Sequence, residues 1–179
     1  MRIIAGQWRS RRIEAPGGSA TRPTADRVRE TLFSMLLSRL GSFEDLAVLD
    51  LFAGSGALSF EALSRGAASA LLVERDQETR RAIERNAHAL GANARLLGQD
   101  ACRLPKASAT VDLVFLDPPY GEGMAEAALE SLLQQGWIAP HTWLSLEMAR
   151  DEPLDAPGFV TVACRAIGKT ELRLLRPAA

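Results

Sequence analysis

Asp117-Pro118-Pro119-Tyr120 closes the strongest apolar run of the chain, Val111 to Leu116, and is its most specific chemical feature. Two successive prolines donate no backbone hydrogen bonds and restrict the residue before them to extended backbone. A strand that ends this way leaves the Asp117 carboxylate and the Pro118 carbonyl as bare acceptors. Such a pair suits an amino group, which must donate two hydrogen bonds. The exocyclic amine of a nucleobase is a poor nucleophile, because its lone pair is delocalised into the ring. Two acceptors on its hydrogens draw the nitrogen toward a tetrahedral form and free that lone pair to attack. Tyr120 is suited to stack on the base, a contact worth about 1–3 kcal/mol.

A second group of residues reads as a nucleoside site. Asp50-Leu51-Phe52-Ala53-Gly54-Ser55-Gly56 lies where a strand turns into a helix, and glycines there let the backbone come close to a ligand. Only two of the three glycines of a dinucleotide fingerprint are present, since Leu58 and Ser59 fill the region of the third. The turn therefore fits either a mononucleotide-type ligand or tight local packing. Glu74 ends the next strand about 20 residues on, where a carboxylate accepts both hydroxyls of a ribose. That separates nucleosides from other ligands and goes no finer. Asp100 follows the third strand; it either accepts from an adenine amino group or caps the turn Gly98-Gln99-Asp100.

The elements that must position these groups alternate in type. Apolar runs at Ala47–Phe52, Ala70–Val73, Arg95–Leu97, Val111–Leu116 and Thr142–Met148 read as strands. Helical patterns over Ala57–Arg65, Gln77–Leu90 and Met124–Gln135 separate them, with Gly66 and Gly91 as stops. Continuous apolar strands between helices predict a parallel sheet covered on both faces. Phe159–Ile167 and Glu171–Leu175 break the rhythm, because the three residues between them are too few for a crossover helix. Those strands must pair antiparallel. A mostly parallel sheet with a reversed C-terminal hairpin resembles the seven-stranded, Rossmann-like class I methyltransferase sheet.

The 179 residues balance 21 basic against 22 acidic side chains, are 47% hydrophobic, and suit an ordinary globular domain. No apolar run reaches the roughly 20 residues of a membrane span, and no signal peptide follows Arg2. Cys102 and Cys164 lack CxxC partners, and with only His88 and His141 beside them no metal site is expected. A reducing, cytoplasmic setting and a monomer are expected. The near-neutral total hides an asymmetry. Residues 1–39 hold eight arginines and three acids, while both lysines, Lys106 and Lys169, lie outside that segment. Arginine forks match phosphate oxygens and stack on bases, so this segment reads as a nucleic-acid arm or, more plainly, as a solvated face. Within it, Arg2–Ile13 forms a small hairpin around Gly6-Gln7, and Asp26–Leu40 forms a helix that buries Val28, Leu32, Met35, Leu36 and Leu40. The expected division is a basic hairpin-and-helix extension over 1–40 and a catalytic domain over 41–179.

Together, Asp50 to Gly56, Glu74, Asp100 and Asp117 to Tyr120 resemble the motifs of S-adenosylmethionine-dependent amino-methyltransferases. Arg2-Ile3-Ile4-Ala5-Gly6, Arg9 to Arg12 and Arg22-Pro23-Thr24-Ala25-Asp26-Arg27-Val28-Arg29-Glu30 narrow the likeness. Over nearly the whole chain it resembles the bacterial 16S ribosomal RNA guanine-N2 methyltransferase family that modifies guanine 966. Arg9-Ser10-Arg11 departs from the Arg-Gly-Arg common in that family but keeps its charges. The resemblance implies that Asp50 and Phe52, Ala53, Gly54, Ser55 and Gly56 hold the methionine end of S-adenosylmethionine. Glu74 would hold the ribose and Asp100 with Ala101 the adenine, with Arg75 and Thr24 also at the cofactor pocket. Asp117, also next to the cofactor, would position guanine N2 with Pro118 and Tyr120, without a metal or covalent intermediate. Arg2, Arg9, Arg11, Arg12, Arg22, Arg27 and Arg29 would grip RNA, within the small ribosomal subunit or an assembly intermediate, around an unstacked guanine.

Four other readings compete. DNA adenine-N6 and cytosine-N4 methyltransferases also use Asp-Pro-Pro-Tyr, but the sequence-specific ones need a target-recognition region for which only the N-terminal 40 residues remain. A protein-glutamine methyltransferase would show Asn in place of Asp117. A nicotinamide-dependent oxidoreductase fits poorly with the incomplete glycine fingerprint and the antiparallel ending, and a non-catalytic RNA-binding domain has no use for the Asp-Pro-Pro-Tyr turn.

Overall fold

Each apolar run of the sequence becomes a strand and each 3.6-period stretch a helix. The strands are β1 (Ala47–Leu51), β2 (Ser69–Val73), β3 (Ala94–Leu97), β4 (Val111–Leu116), β5 (Ile138–Ala149), β6 (Phe159–Ile167) and β7 (Thr170–Pro177). The helices are α1 (Pro23–Leu40), α2 (Ala57–Ser64), α3 (Gln77–Leu90) and α4 (Met124–Gln134). The computed structural model describes residues 1–15, 23–119 and 121–178, without the side chains of residues 23 and 24.

One sheet runs in the order β3-β2-β1-β4-β5-β7-β6. The five strands from β3 to β5 are parallel, and β7 pairs antiparallel with both β5 and β6, the reversed ending expected from the short final connection. The chain winds outward from β1 to β3 and then returns to place β4 on the other side of β1. At such a reversal the connections leave in opposite directions and open a crevice at the carboxyl ends of the strands.

Alternation along the strands divides the interior. Val48, Leu72, Leu113 and Phe115 pack against Leu32, Phe33 and Leu36 of α1 and against Phe60 and Ile83 of the next two helices. Leu49, Leu51, Val114, Leu116 and Leu146 face Ala128, Leu129 and Leu132 of α4. Each such large side chain contributes about 1.5–3 kcal/mol on burial.

Several boundaries differ from the sequence reading. β1 stops at Leu51 because Phe52 has φ 62° and leaves extended backbone. α1 starts at Pro23, three residues before Asp26, since proline suits the first helical position, where its missing N–H costs nothing. β5 begins at Ile138, and its register against β4 slips between Val111 and Leu113 in a stretch that includes Pro140.

The N-terminal segment folds back through one antiparallel bridge, Arg2 to Arg12, supported by the Ile3 amide donating to the Arg11 carbonyl at 3.0 Å. Ile3 and Ile13 join the core shared by α1 and the sheet. Glu61 on α2, fully buried, clamps this segment by accepting from the amides of Ile4 at 2.7 Å and Ala5 at 3.0 Å. Its charge is answered by Arg65 one turn on, at 2.8 Å. Among the described residues no helix is long and apolar enough to cross a membrane, and no His/Cys/Asp/Glu group is arranged to hold a metal ion.

Candidate active site

The carboxyl ends of β1, β2 and β4 supply most of the site. Beyond β1 the backbone turns sharply: Phe52, Gly54 and Gly56 have φ of 62°, 55° and 76°. A bulky side chain in this region stores about 1–3 kcal/mol of strain, which persists only where the surroundings over-determine it. Here the Ala53 amide reaches across to the Val73 carbonyl at 3.1 Å, and the Gly56 amide closes the turn on the Ala53 carbonyl at 2.7 Å. The two glycines serve different ends. A Cβ on Gly56 would lie 2.6 Å from Phe60 Cε2 and 3.0 Å from Leu72 Cδ2, so this glycine is required by packing. A Cβ on Gly54 would meet nothing closer than the Phe52 carbonyl at 3.9 Å. Gly54 lines the crevice and Gly56 does not.

Glu74, just past β2, is held by two amides, Gly54 at 3.1 Å and Asp76 at 2.9 Å. Asp100 accepts from the Cys102 amide at 2.9 Å, so it caps its own turn and still faces the crevice. The two readings of Asp100 are therefore compatible. A cavity of about 510 Å³ lies over these groups, lined by Phe52, Glu74, Arg75, Asp100, Ala101 and Pro118 among others. A second cavity, about 210 Å³, lies under α1, with Asp50, Ala53, Gly54 and Ser55 on its sheet side and Val28, Arg29 and Leu32 on its helix side. Phe52 and Asp117 line both cavities and so stand at their junction.

The junction concentrates negative charge. Asp50 is buried, with the Ser59 hydroxyl donating to it at 2.7 Å. Burial pushes its carboxyl up to about 7, against the opposing pull of the Ser59 hydrogen bonds. Asp117 opens onto the crevice but is enclosed by protein on its other sides. That enclosure, and then the neighbouring Glu147 and Asp50 carboxylates, push it up to about 8.

Sequence reasoning missed two of the groups around the junction. Glu147, on β5, lines the smaller cavity beside Asp117; the available signal was an acidic residue set inside the mostly apolar run Trp143 to Met148. Arg29, expected among the RNA-gripping arginines, is buried instead. Its guanidinium donates to the Arg2 carbonyl at 2.7 Å and to Asp26 at 3.0 Å, while its Nε has no partner. The amphipathic stripe was drawn too narrow, because Arg29 follows Val28 and turns inward over the cavity. Arg2, Arg9, Arg11, Arg12 and Arg27 are exposed. Arg22, the Thr24 side chain and Tyr120 lie outside the described residues.

Comparison with known proteins adds the family context. The family model described as "Conserved hypothetical protein 95" matches residues 1–176. A protein of Escherichia coli strain K12 named ribosomal RNA small subunit methyltransferase D is 42% identical over 149 residues, covering 82% of this chain and 74% of that protein. One of the same name from Haemophilus influenzae is 37% identical over 163 residues, covering 88% of this chain and 83% of the other. A solved E. coli structure, described as the putative methyltransferase yhhF, superposes over 100% of this chain and 98% of its own with a TM-score of 0.85 and 36% identity.

Proposed function

The chain belongs to the family described as conserved hypothetical protein 95, and on that premise we propose that it methylates the exocyclic N2 amine of a guanine in 16S ribosomal RNA, with S-adenosylmethionine as donor. The observation that carries the reading is Asp117 at the junction of the two cavities, an acceptor reachable from both. Relatives named ribosomal RNA small subunit methyltransferase D support the RNA class of substrate.

The residues present fit the donor. Glu74 is held by two amides at the rim of the larger cavity and keeps acceptor capacity for a ribose diol. Gly54 leaves open space where any side chain would stand, and Asp50 suits an ammonium group at the smaller cavity. Asp100 and Ala101 are the candidates for the adenine, and Asp50, Phe52, Ala53, Gly54 and Ser55 for the methionine end. Arg75 lines the larger cavity as well. When bound, S-adenosylmethionine supplies an electrophilic methyl group on a sulfonium sulfur.

The chain's own work is positioning and hydrogen-bond acceptance. Asp117 and the Pro118 carbonyl accept from the two amine hydrogens and return the nitrogen lone pair from the ring to the reacting direction. Tyr120 stacks on the base. In its ionised form Asp117 is also the nearest acceptor for the proton that the amine must lose, and the upward push on its carboxyl to about 8 favours that uptake while leaving a minority of the group ionised near neutrality. Residues 1–40 would serve as the RNA-binding extension to the methyltransferase domain over 41–179, with Arg2, Arg9, Arg11, Arg12, Arg22 and Arg27 on phosphates.

The test uses purified protein, labelled S-adenosylmethionine and small ribosomal subunits from cells lacking the enzyme, with the RNA digested to nucleosides. Label in N2-methylguanosine is expected, together with its loss in Asp117→Ala while that variant melts no lower than the wild type. No label in RNA, with N6-methyladenine formed in a parallel DNA reaction, would replace this reading by the DNA one.

A further inference from the structure

Register decides which side chains stand beside the acceptor Asp117. β4 and β5 are parallel, with Phe115 opposite Ser145 and Leu116 opposite Leu146. The next residues on the two chains are Asp117 and Glu147. Residues level on neighbouring strands point to the same face, and Asp117 and Glu147 both line the cavity under α1. Their proximity is felt electrostatically, since Glu147 is among the charges that act on Asp117. Glu147 also lines the groove formed with Pro118 and Pro119, so it borders the acceptor turn on two sides.

The pairing edges of the bases differ at the atom next to the amine. Guanine carries an N1–H donor beside N2, adenine an N1 acceptor beside N6, and cytosine an N3 acceptor beside N4. An ionised carboxylate only accepts. A second carboxylate level with the one that holds the amine therefore matches guanine and opposes the ring nitrogen of adenine and cytosine. We propose that Glu147 is a specificity-determining residue that accepts the guanine N1–H while Asp117 accepts from N2. The inference rests on the guanine-N2 reading above and explains why the same Asp-Pro-Pro-Tyr turn would here refuse the adenine and cytosine amines. Arg29, from α1, lines the opposite wall of the same cavity.

The test replaces the target guanine by 2-aminopurine, which keeps the N2 amine but has an acceptor at N1. Small subunits reconstituted with either base are given to the wild-type enzyme and to Glu147→Gln, and single-turnover methylation rates are compared. The wild type is expected to methylate guanine roughly tenfold or more faster than 2-aminopurine, because a site built around a donor leaves its acceptor unpaired on the analogue. Glu147→Gln is expected to lose about tenfold or more on guanine and to narrow or invert the ratio, since its amide N–H can donate to the 2-aminopurine N1. An unchanged ratio in Glu147→Gln would overturn the inference. Should that variant fold poorly, equal wild-type rates on the two bases would overturn it alone. Failure of the wild type to label the guanine subunits at all is a separate result and would overturn the guanine-N2 reading itself.

Discussion

Replacing each turn glycine by alanine separates the packing role from the ligand role. In Gly56→Ala the new methyl would sit 2.6 Å from Phe60 Cε2 and 3.0 Å from Leu72 Cδ2, both on fully buried side chains with little room to retreat. Left-handed backbone costs about 1–2 kcal/mol for a residue with a Cβ, and overpacking a core costs about 1–3 kcal/mol more. A loss of about 2–5 kcal/mol follows, which in a domain of this length lowers Tm by about 4–20 °C. Gly54→Ala carries the backbone cost alone, because its methyl has open space, so Tm should fall by about 2–8 °C. That space belongs to the smaller cavity, and a methyl there should weaken S-adenosylmethionine binding about tenfold or more, equivalent to about 1.4 kcal/mol. Calorimetric melts and S-adenosylmethionine titrations of the two variants, side by side, check both numbers. The reasoning fails if Gly56→Ala melts within about 2 °C of the wild type. It fails equally if Gly54→Ala binds the donor as tightly as the wild type does.

Three further outcomes are expected. Glu61→Ala removes the acceptor of two backbone amides and the buried partner of Arg65, so stability should fall by about 3–5 kcal/mol, with hydrogen exchange at Ile4 and Ala5 accelerating first; slow exchange there would show that the segment is held by its apolar contacts alone. Substituting Arg9, Arg11 and Arg12 together by Ala should weaken RNA binding and flatten its salt dependence by about 0.7–0.9 per lost phosphate contact, whereas Arg29→Ala should lower Tm without changing that slope; a flattened slope in Arg29→Ala would contradict its interior placement. Asp50 has its folded-state pKa raised from 3.8 to about 7, so its contribution to stability is fully present below pH 3.8 and is lost as pH rises through about 7. Asp50→Asn should therefore gain stability relative to the wild type between pH 5 and pH 8 in urea melts, and a constant difference would show that the carboxyl stays ionised in the fold.

Much of the fold was legible because it depends on local signals. Uninterrupted apolar runs announced buried strands, and the three residues after Ile167 could join β6 to β7 only antiparallel. The glycine turn, Glu74, Asp100 and Asp117 were legible for a related reason: each follows the end of a strand, and in a doubly wound sheet those ends converge. Strand and helix ends were less legible where backbone geometry overrides composition. Phe52 looks like one more strand residue until its left-handed φ ends β1. Arg29 misled because charge is a poor guide to exposure when a helix can hand a guanidinium to a backbone carbonyl and a nearby carboxylate.

Glu147 shows what kind of information was missing. Nothing within ten residues of it signals the crevice, because its place is set by the pairing of β5 with β4, which no single-strand pattern encodes. The same register logic links the other acids. Asp50 lies opposite Phe115 on β1, two residues before Asp117, so Asp50, Asp117 and Glu147 fall on one face of the sheet beneath α1. Folding alone gains nothing from crowding three carboxylates there: burial and mutual repulsion push Asp50 and Asp117 up, and a structural role would be served as well by neutral side chains. Titratable groups displaced in this way, at a cleft and by named neighbours, cluster at functional sites. A cationic donor and an amine with hydrogens to give are ligands for which such an arrangement is favourable.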